Sequence, residues 1–177
     1  LRSHLSGLDR GFDVYEEDFH DKRWALLKPE RYGDGVTDTA IRLLRERDTK
    51  KPFFFWIHYS DPHAPYRYHP EHNPSGVKLS QVQGRDRVSP KYDSEIAFTD
   101  DQIGRLLRFL PRENTYILFV ADHGECLYEN GYLGHGRRVY QGCQRVPLFV
   151  VGPGIEPGRT GLPVCTFDVA PTLLKLA

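Results

Sequence analysis

Asp122 and His123 stand side by side in Ala121-Asp122-His123-Gly124-Glu125, directly after the apolar run from Tyr116 to Val120. A carboxylate oxygen and an imidazole nitrogen are the donors that a divalent cation takes from such a pair. A strand ending there places both at the edge where ligands bind in open α/β sheets. Gly124 would let the chain turn sharply. Two donors are too few for a cation that takes roughly four to six, so the remainder must come from elsewhere. The same five residues equally suit an Asp that caps the following turn, with His123 at the surface.

Two further clusters have chemical potential. His58-Tyr59-Ser60-Asp61-Pro62-His63-Ala64-Pro65-Tyr66 leaves the end of a second apolar run. A histidine there can donate to an anionic oxygen or steady a leaving group. His58 reads better as a packed strand residue, whereas two prolines hold the backbone around His63. His69 and His72 lie further along; scattered loop histidines are usually solvated, and a metal cluster with His63 is the less favoured reading. In Gly134-His135-Gly136-Arg137-Arg138, close backbone approach and three potentially cationic side chains would serve an oxyanion. The competing reading is a glycine-rich turn with solvent-facing arginines.

The elements that must position these groups follow from periodicity. Residues 1–30 read as irregular. Asp34 or Thr37 can cap a helix whose stripe is Val36, Ala40, Ile41, Leu43 and Leu44. The unbroken run from Phe53 to Tyr59 suits a strand covered on both faces. His63 to Arg87 is a long polar loop, of a length that is often functional. A second helix is expected from about Pro90 to Leu110, with Ile96, Ala97, Ile103, Leu106, Leu107 and Leu110 inward. Strands are expected at Thr115 to Ala121 and Val146 to Val151. A last helix runs from Asp168 to Ala177, with Pro171 in its first turn. Strands alternating with helices give an α/β fold, a mainly parallel sheet flanked by helices.

Composition narrows the function classes. Basic and acidic residues number 24 each, so no global field draws the chain to nucleic acid or acidic lipid. No apolar run approaches the roughly 20 residues that span a bilayer. The three cysteines show no CxxC pair, which supports neither a disulfide framework nor a cysteine zinc site. The chain has no methionine, so Leu1 is not an initiator residue, and an interior fragment is expected.

Several segments in one order resemble the sulfatase family of the alkaline phosphatase superfamily. They are Gly7-Leu8-Asp9-Arg10-Gly11-Phe12-Asp13, the run from Pro52 to Tyr66 with its Pro62-His63, and the helix from Asp93 to Leu107. Asp122-His123-Gly124, Gly134-His135-Gly136, Arg145-Val146-Pro147-Leu148 and Phe167-Asp168-Val169-Ala170-Pro171-Thr172-Leu173-Leu174 follow. The resemblance covers nearly the whole chain. It implies an incomplete sulfatase-like catalytic domain over residues 1–177, truncated at both ends.

It also implies roles. Asp122 and His123 would ligate a divalent metal ion, Ca²⁺ first, with Mg²⁺, Mn²⁺ or Zn²⁺ as alternatives. His63 would contact the sulfate or leaving-group oxygen, and His135 would act similarly. The family often has lysine where His135 stands, so this group would lose its charge near neutral pH. His123 stands where many sulfatases have Asn. The family's Cys-x-Pro-x-Arg nucleophile motif and its N-terminal Asp-Asp pair have no counterpart here, since Asp100-Asp101 lies in a helix.

The expected activity of the intact protein is hydrolysis of a small-molecule or carbohydrate sulfate ester. Hydrolysis or transfer of phosphate or phosphonate esters is the first alternative, and a non-catalytic binding homologue the second. No nucleic-acid partner and no membrane segment are expected, and oligomeric state is open. The resemblance alone suggests export to periplasm, lysosome or exterior. The isolated chain is expected to be inactive and marginally stable, with exposed strand edges.

Overall fold

The computed structural model describes residues 2–19 and 30–177. Part of the expected irregular stretch, residues 20–29, lies outside the described residues. The chain divides into two compact units, Leu1–Arg108 and Phe109–Ala177.

In the first unit a short helix, α1 (Ser3–Ser6), ends at Gly7 with φ +66°. The Glu17 carboxylate accepts from the Ser3 N–H at 2.5 Å and from its hydroxyl at 3.0 Å. Those bonds hold the Glu17 carboxyl below the usual carboxylate range. The next helix, α2, runs Gly33–Glu46. Neither Asp34 nor Thr37 caps it. The cap comes from across the unit, where the buried Asp61 carboxylate accepts the Gly33 N–H at 3.0 Å. Thr37 is instead fully buried, its hydroxyl 2.8 Å from the Tyr59 phenol.

Helix α2 buries Gly33, Thr37, Ala40, Ile41 and Leu44, the stripe that helical spacing brings to one face. It packs on helix α3, Val88–Leu107. The inner face of α3 differs from the expected one. Buried here are Ser94, Glu95, Phe98, Thr99, Gln102 and Leu106, while Ile96 is 44% exposed. Polar residues can occupy this face because each makes at least one hydrogen bond. Glu95 Oε1 accepts the Arg67 N–H at 2.8 Å, and Ser94 Oγ accepts the His69 N–H at 3.1 Å. The Thr99 hydroxyl donates to the Glu95 carbonyl. Replacing Leu44, 1% exposed, by alanine should therefore destabilise the unit by about 2–5 kcal/mol, read from urea denaturation.

The run from Phe53 to Tyr59 forms no strand and has no ladder partner among the described residues, contrary to the expected covered strand. Its side chains alternate between half-covered and exposed rather than being covered on both faces, leaving Phe54 62% and Trp56 52% exposed. His58 is exposed, not packed.

In the second unit, β1 (Ile117–Val120) leads into a hairpin of β2 (Cys126–Leu127) and β3 (Leu133–Gly134). One helical turn, α4 (Gln141–Gln144), precedes β4 (Leu148–Val151). β4 returns beside β1 in antiparallel register, Val120 opposite Leu148, with the Phe119 and Phe149 rings stacked at 4.9 Å. The expected strands are present, but the mainly parallel sheet is not among the described residues, whose ladders are β1–β4 and β2–β3, both antiparallel. The reason is the connection. A parallel neighbour needs a crossover of a dozen or more residues, usually a helix. Here a hairpin and a single helical turn bring the chain back reversed. The last helix, α5 (Val169–Leu176), buries no residue, and Leu174 is 81% exposed.

Candidate metal and catalytic site

Everything between β1 and β4 is an excursion closed at its base by the Ala121 N–H donating to the Pro147 carbonyl. Asp122 is the second residue beyond the carboxyl end of β1, as expected. Its Oδ1 accepts the His123 N–H at 2.9 Å, and its side chain is 77% exposed. The capping role and an open carboxylate oxygen thus coexist.

His123 Nδ1 lies 2.9 Å from the Gly124 carbonyl. That contact requires Nδ1 to carry the proton, so in the neutral ring Nε2 keeps its lone pair. Nε2 is 3.7 Å from Asp122 Oδ2. A nitrogen lone pair and a carboxylate oxygen at that spacing can share one cation, so the residues present fit part of a divalent metal site.

His135 follows β3, and the β2–β3 hairpin lays its ring over that of His123 at 3.9 Å. Register fixes this arrangement, with Cys126 opposite Gly134. Glu125 Oε1 lies 3.0 Å from His135 Nδ1, and its side chain is only 6% exposed. Sequence reasoning gave Glu125 no role. The glutamate was visible in the motif, but its contact with His135 depends on a hairpin that brings residue 135 back over it.

Gly124 does not serve as a turn residue at positive φ. Its N–H donates to the Cys143 carbonyl at 2.8 Å, and a Cβ would overlap the Gly142 carbonyl oxygen. Close approach of α4 is what requires glycine. Below this layer the Cys126 and Cys143 thiols meet at 2.9 Å, both buried and both free, whereas Cys165 is exposed. The hydrogen bond to Cys143, followed by burial, pushes the Cys126 thiol up to about 11. The spacing of the cysteines had given no sign of this pair.

The structure therefore gathers Asp122, His123 and His135 in the second unit. His63 belongs to the first unit, exposed between two prolines. His69 and His72 do form a cluster, with Glu71 as its third member and without His63. Arg137 and Arg138 are exposed.

The sulfatase family model matches residues 7–177. An arylsulfatase of Clostridium perfringens is 29% identical over 92% of this chain and 39% of its own length. A choline-sulfatase of Rhizobium meliloti is 41% identical over 49% of this chain and 17% of its own. A low-salt glycan biosynthesis sulfotransferase of Haloferax volcanii is 30% identical over 99% of this chain and 44% of its own. Among solved structures, Ps i-CgsB in complex with k-i-k-neocarrahexaose superposes with TM-score 0.65 at 24% identity, over 84% of this chain and 34% of that one. With its fold and its ordered motifs, the chain belongs to the sulfatase family. It spans less than half the length of each of these curated relatives.

Proposed function

We propose that this chain supplies part of the catalytic site of a metal-dependent sulfuric ester hydrolase. The observation that carries the proposal is the convergence of Asp122, His123, His135 and Glu125 just beyond β1. Asp122 and His123 would hold the cation, Ca²⁺ first, with Mg²⁺, Mn²⁺ or Zn²⁺ admitted by the mixed oxygen and nitrogen set. When bound, the cation would polarise a sulfuryl oxygen. Glu125 orients the ring of His135 through Nδ1, and His135 is assigned to a substrate oxygen. His63 is assigned to the sulfate or leaving-group oxygen. The nucleophile is assigned to sequence outside these 177 residues, since no cysteine here begins a Cys-x-Pro-x-Arg motif.

Sulfated sugars are the preferred substrate class, because relatives include N-acetylglucosamine-6-O-sulfatase of Bacteroides thetaiotaomicron and N-acetylglucosamine-6-sulfatase of Bos taurus. Small sulfate esters are the second class. Export from the cytoplasm is part of the same reading. No helix among the described residues is long and apolar enough to cross a membrane.

The test is to assay the full-length protein on p-nitrophenyl sulfate, sulfated monosaccharides and p-nitrophenyl phosphate, before and after chelation. Sulfate-ester turnover lost on chelation and restored by Ca²⁺ is the expected result. Turnover of the phosphate ester alone would transfer the assignment to phosphoesterase chemistry. Turnover of neither would leave a binding role. Within the active enzyme, His135→Gln should lower kcat about 100-fold with little change in KM, because its contact matters most as charge develops.

A further inference from the structure

His69-Pro70-Glu71-His72 turns through a 3₁₀ helix, Pro70–His72, closed by the His72 N–H donating to the His69 carbonyl at 3.0 Å. With three residues per turn, side chains at i and i+3 eclipse, which sets the two histidines on one face. Phe98 is the floor of the cluster. The His69 ring stacks on it at 4.2 Å and 8°, and the His72 ring meets it edge-on at 5.5 Å. Serine 94 anchors the His69 backbone, and the His69 side chain is 5% exposed.

Glu71 Oε1 lies 3.9 Å from His69 Nδ1 and 3.6 Å from His72 Nδ1. One donor atom from each of the three residues lies within 4.8 Å of the others. His72 Nδ1 is buried and has no hydrogen-bond partner among the described residues. A buried ring nitrogen beside a carboxylate is costly unless something pairs with it. Its other nitrogen, Nε2, is 3.7 Å from Asp101 Oδ2. Closed to hydrogen-bond distance, that carboxylate would hold the ring and raise its basicity toward a metal.

We propose that His69, Glu71 and His72 form a site for a borderline divalent cation of the Zn²⁺ class, with Asp101 as the positioning residue behind His72. Tetrahedral donors at zinc bond lengths stand about 3.4 Å apart, so the two carboxylate–imidazole pairs, at 3.9 and 3.6 Å, need to close by no more than half an ångström, and the two imidazoles, within 4.8 Å, by no more than about 1.4 Å. Two imidazoles and one carboxylate select against Ca²⁺ and Mg²⁺, which prefer all-oxygen shells. The exposed Glu71, 65% accessible, gives the ion its entry, and solvent its fourth position.

The test is titration of the full-length protein with Co²⁺, after chelator treatment and with Ca²⁺ in excess. Bound Co²⁺ should give the intense visible absorption of a tetrahedral ion. Glu71→Gln and His72→Ala should each weaken that binding at least 100-fold, and Asp101→Asn about tenfold. Asp122→Asn should leave it unchanged, which separates this site from the proposed catalytic one. Glu71 is on the surface, so its variant cannot fail merely by unfolding. Co²⁺ binding as strong in either ligand variant as in the parent would overturn the assignment, as would no tetrahedral signal in the parent.

The Cys126 and Cys143 sulfurs, 2.9 Å apart, are already inside ordinary sulfur–sulfur contact. Cys126 is 1% and Cys143 8% exposed. The Cys143 carbonyl accepts the Gly124 N–H, and Cys126 is paired with Gly134 in the hairpin. From this separate observation we infer that the two thiols form a disulfide that staples α4 beneath the segments bearing Asp122, His123 and His135. A low-molecular-weight disulfide would be the oxidant. Its S–S bond breaks as the protein S–S bond forms through a mixed disulfide, and two small thiols leave with the two protons. Unfolding the reduced full-length protein, refolding it in a mixed reduced and oxidised glutathione buffer, then denaturing and alkylating it without further reductant decides the matter. A Cys126–Cys143 cross-linked peptide is expected, and alkylation of both residues would refute the bond.

Discussion

Replacing Gly124 by alanine is expected to destabilise the second unit by about 3 kcal/mol or more, at the upper end of overpacking effects. The added Cβ would overlap the Gly142 carbonyl oxygen and stand 3.4 Å from the Cys143 carbonyl carbon. Both neighbours are backbone, and α4 is tied there by the Gly124 N–H to the Cys143 carbonyl. No side chain can rotate out of the way. Relief would have to come from lifting α4, which separates Cys126 from Cys143 and breaks the bond from the Gly124 N–H to the Cys143 carbonyl. Gly158→Ala is the control, since nothing lies within 4 Å of a Cβ there. That variant should stay within about 0.5 kcal/mol of the parent. Urea denaturation followed by tryptophan-independent far-ultraviolet dichroism measures both, and equal midpoints for Gly124→Ala and Gly158→Ala would refute the close-packing account.

The helices were legible because their apolar stripes repeat at helical spacing, as Ala40, Ile41 and Leu44 show. The inner face of α3 was not, because Ser94 and Glu95 are buried through partners distant in sequence, and Thr99 and Gln102 through partners on their own helix. Hydropathy cannot register a polar side chain whose hydrogen bond comes from another segment. Strand positions at Ile117–Val120 and Leu148–Val151 were visible in the apolar runs. Their relative direction was not, since it depends on how residues 121–147 fold back, and a two-residue strand leaves almost no periodicity. Asp122, His123 and His135 stood out through residue type and order. Glu125 gained its role only once the hairpin was built. The Cys126–Cys143 contact and the His69–Glu71–His72 cluster likewise arise from turns that the sequence marks only by glycines and prolines.

On the proposed function, Asp122→Asn in the full-length protein is expected to reduce sulfate-ester turnover on the order of 1,000-fold while leaving folding stability within about 0.5 kcal/mol. Asparagine retains an oxygen that can accept the His123 N–H, as Asp122 Oδ1 does at 2.9 Å. Asn and Asp are near equivalents in that capping role. What the substitution removes is the negative charge beside His123 Nε2, 3.7 Å away at Oδ2. The side chain is 77% exposed, so little buried structure depends on that charge. A capping residue would therefore tolerate the change in both activity and stability. A metal ligand would lose charge neutralisation of its cation, and the variant should need higher metal concentrations to recover any turnover. Isothermal titration with Ca²⁺ beside the kinetic assay reads these two effects separately. Unchanged turnover and unchanged metal affinity would reduce Asp122 to its turn-capping role and move the cation to other residues.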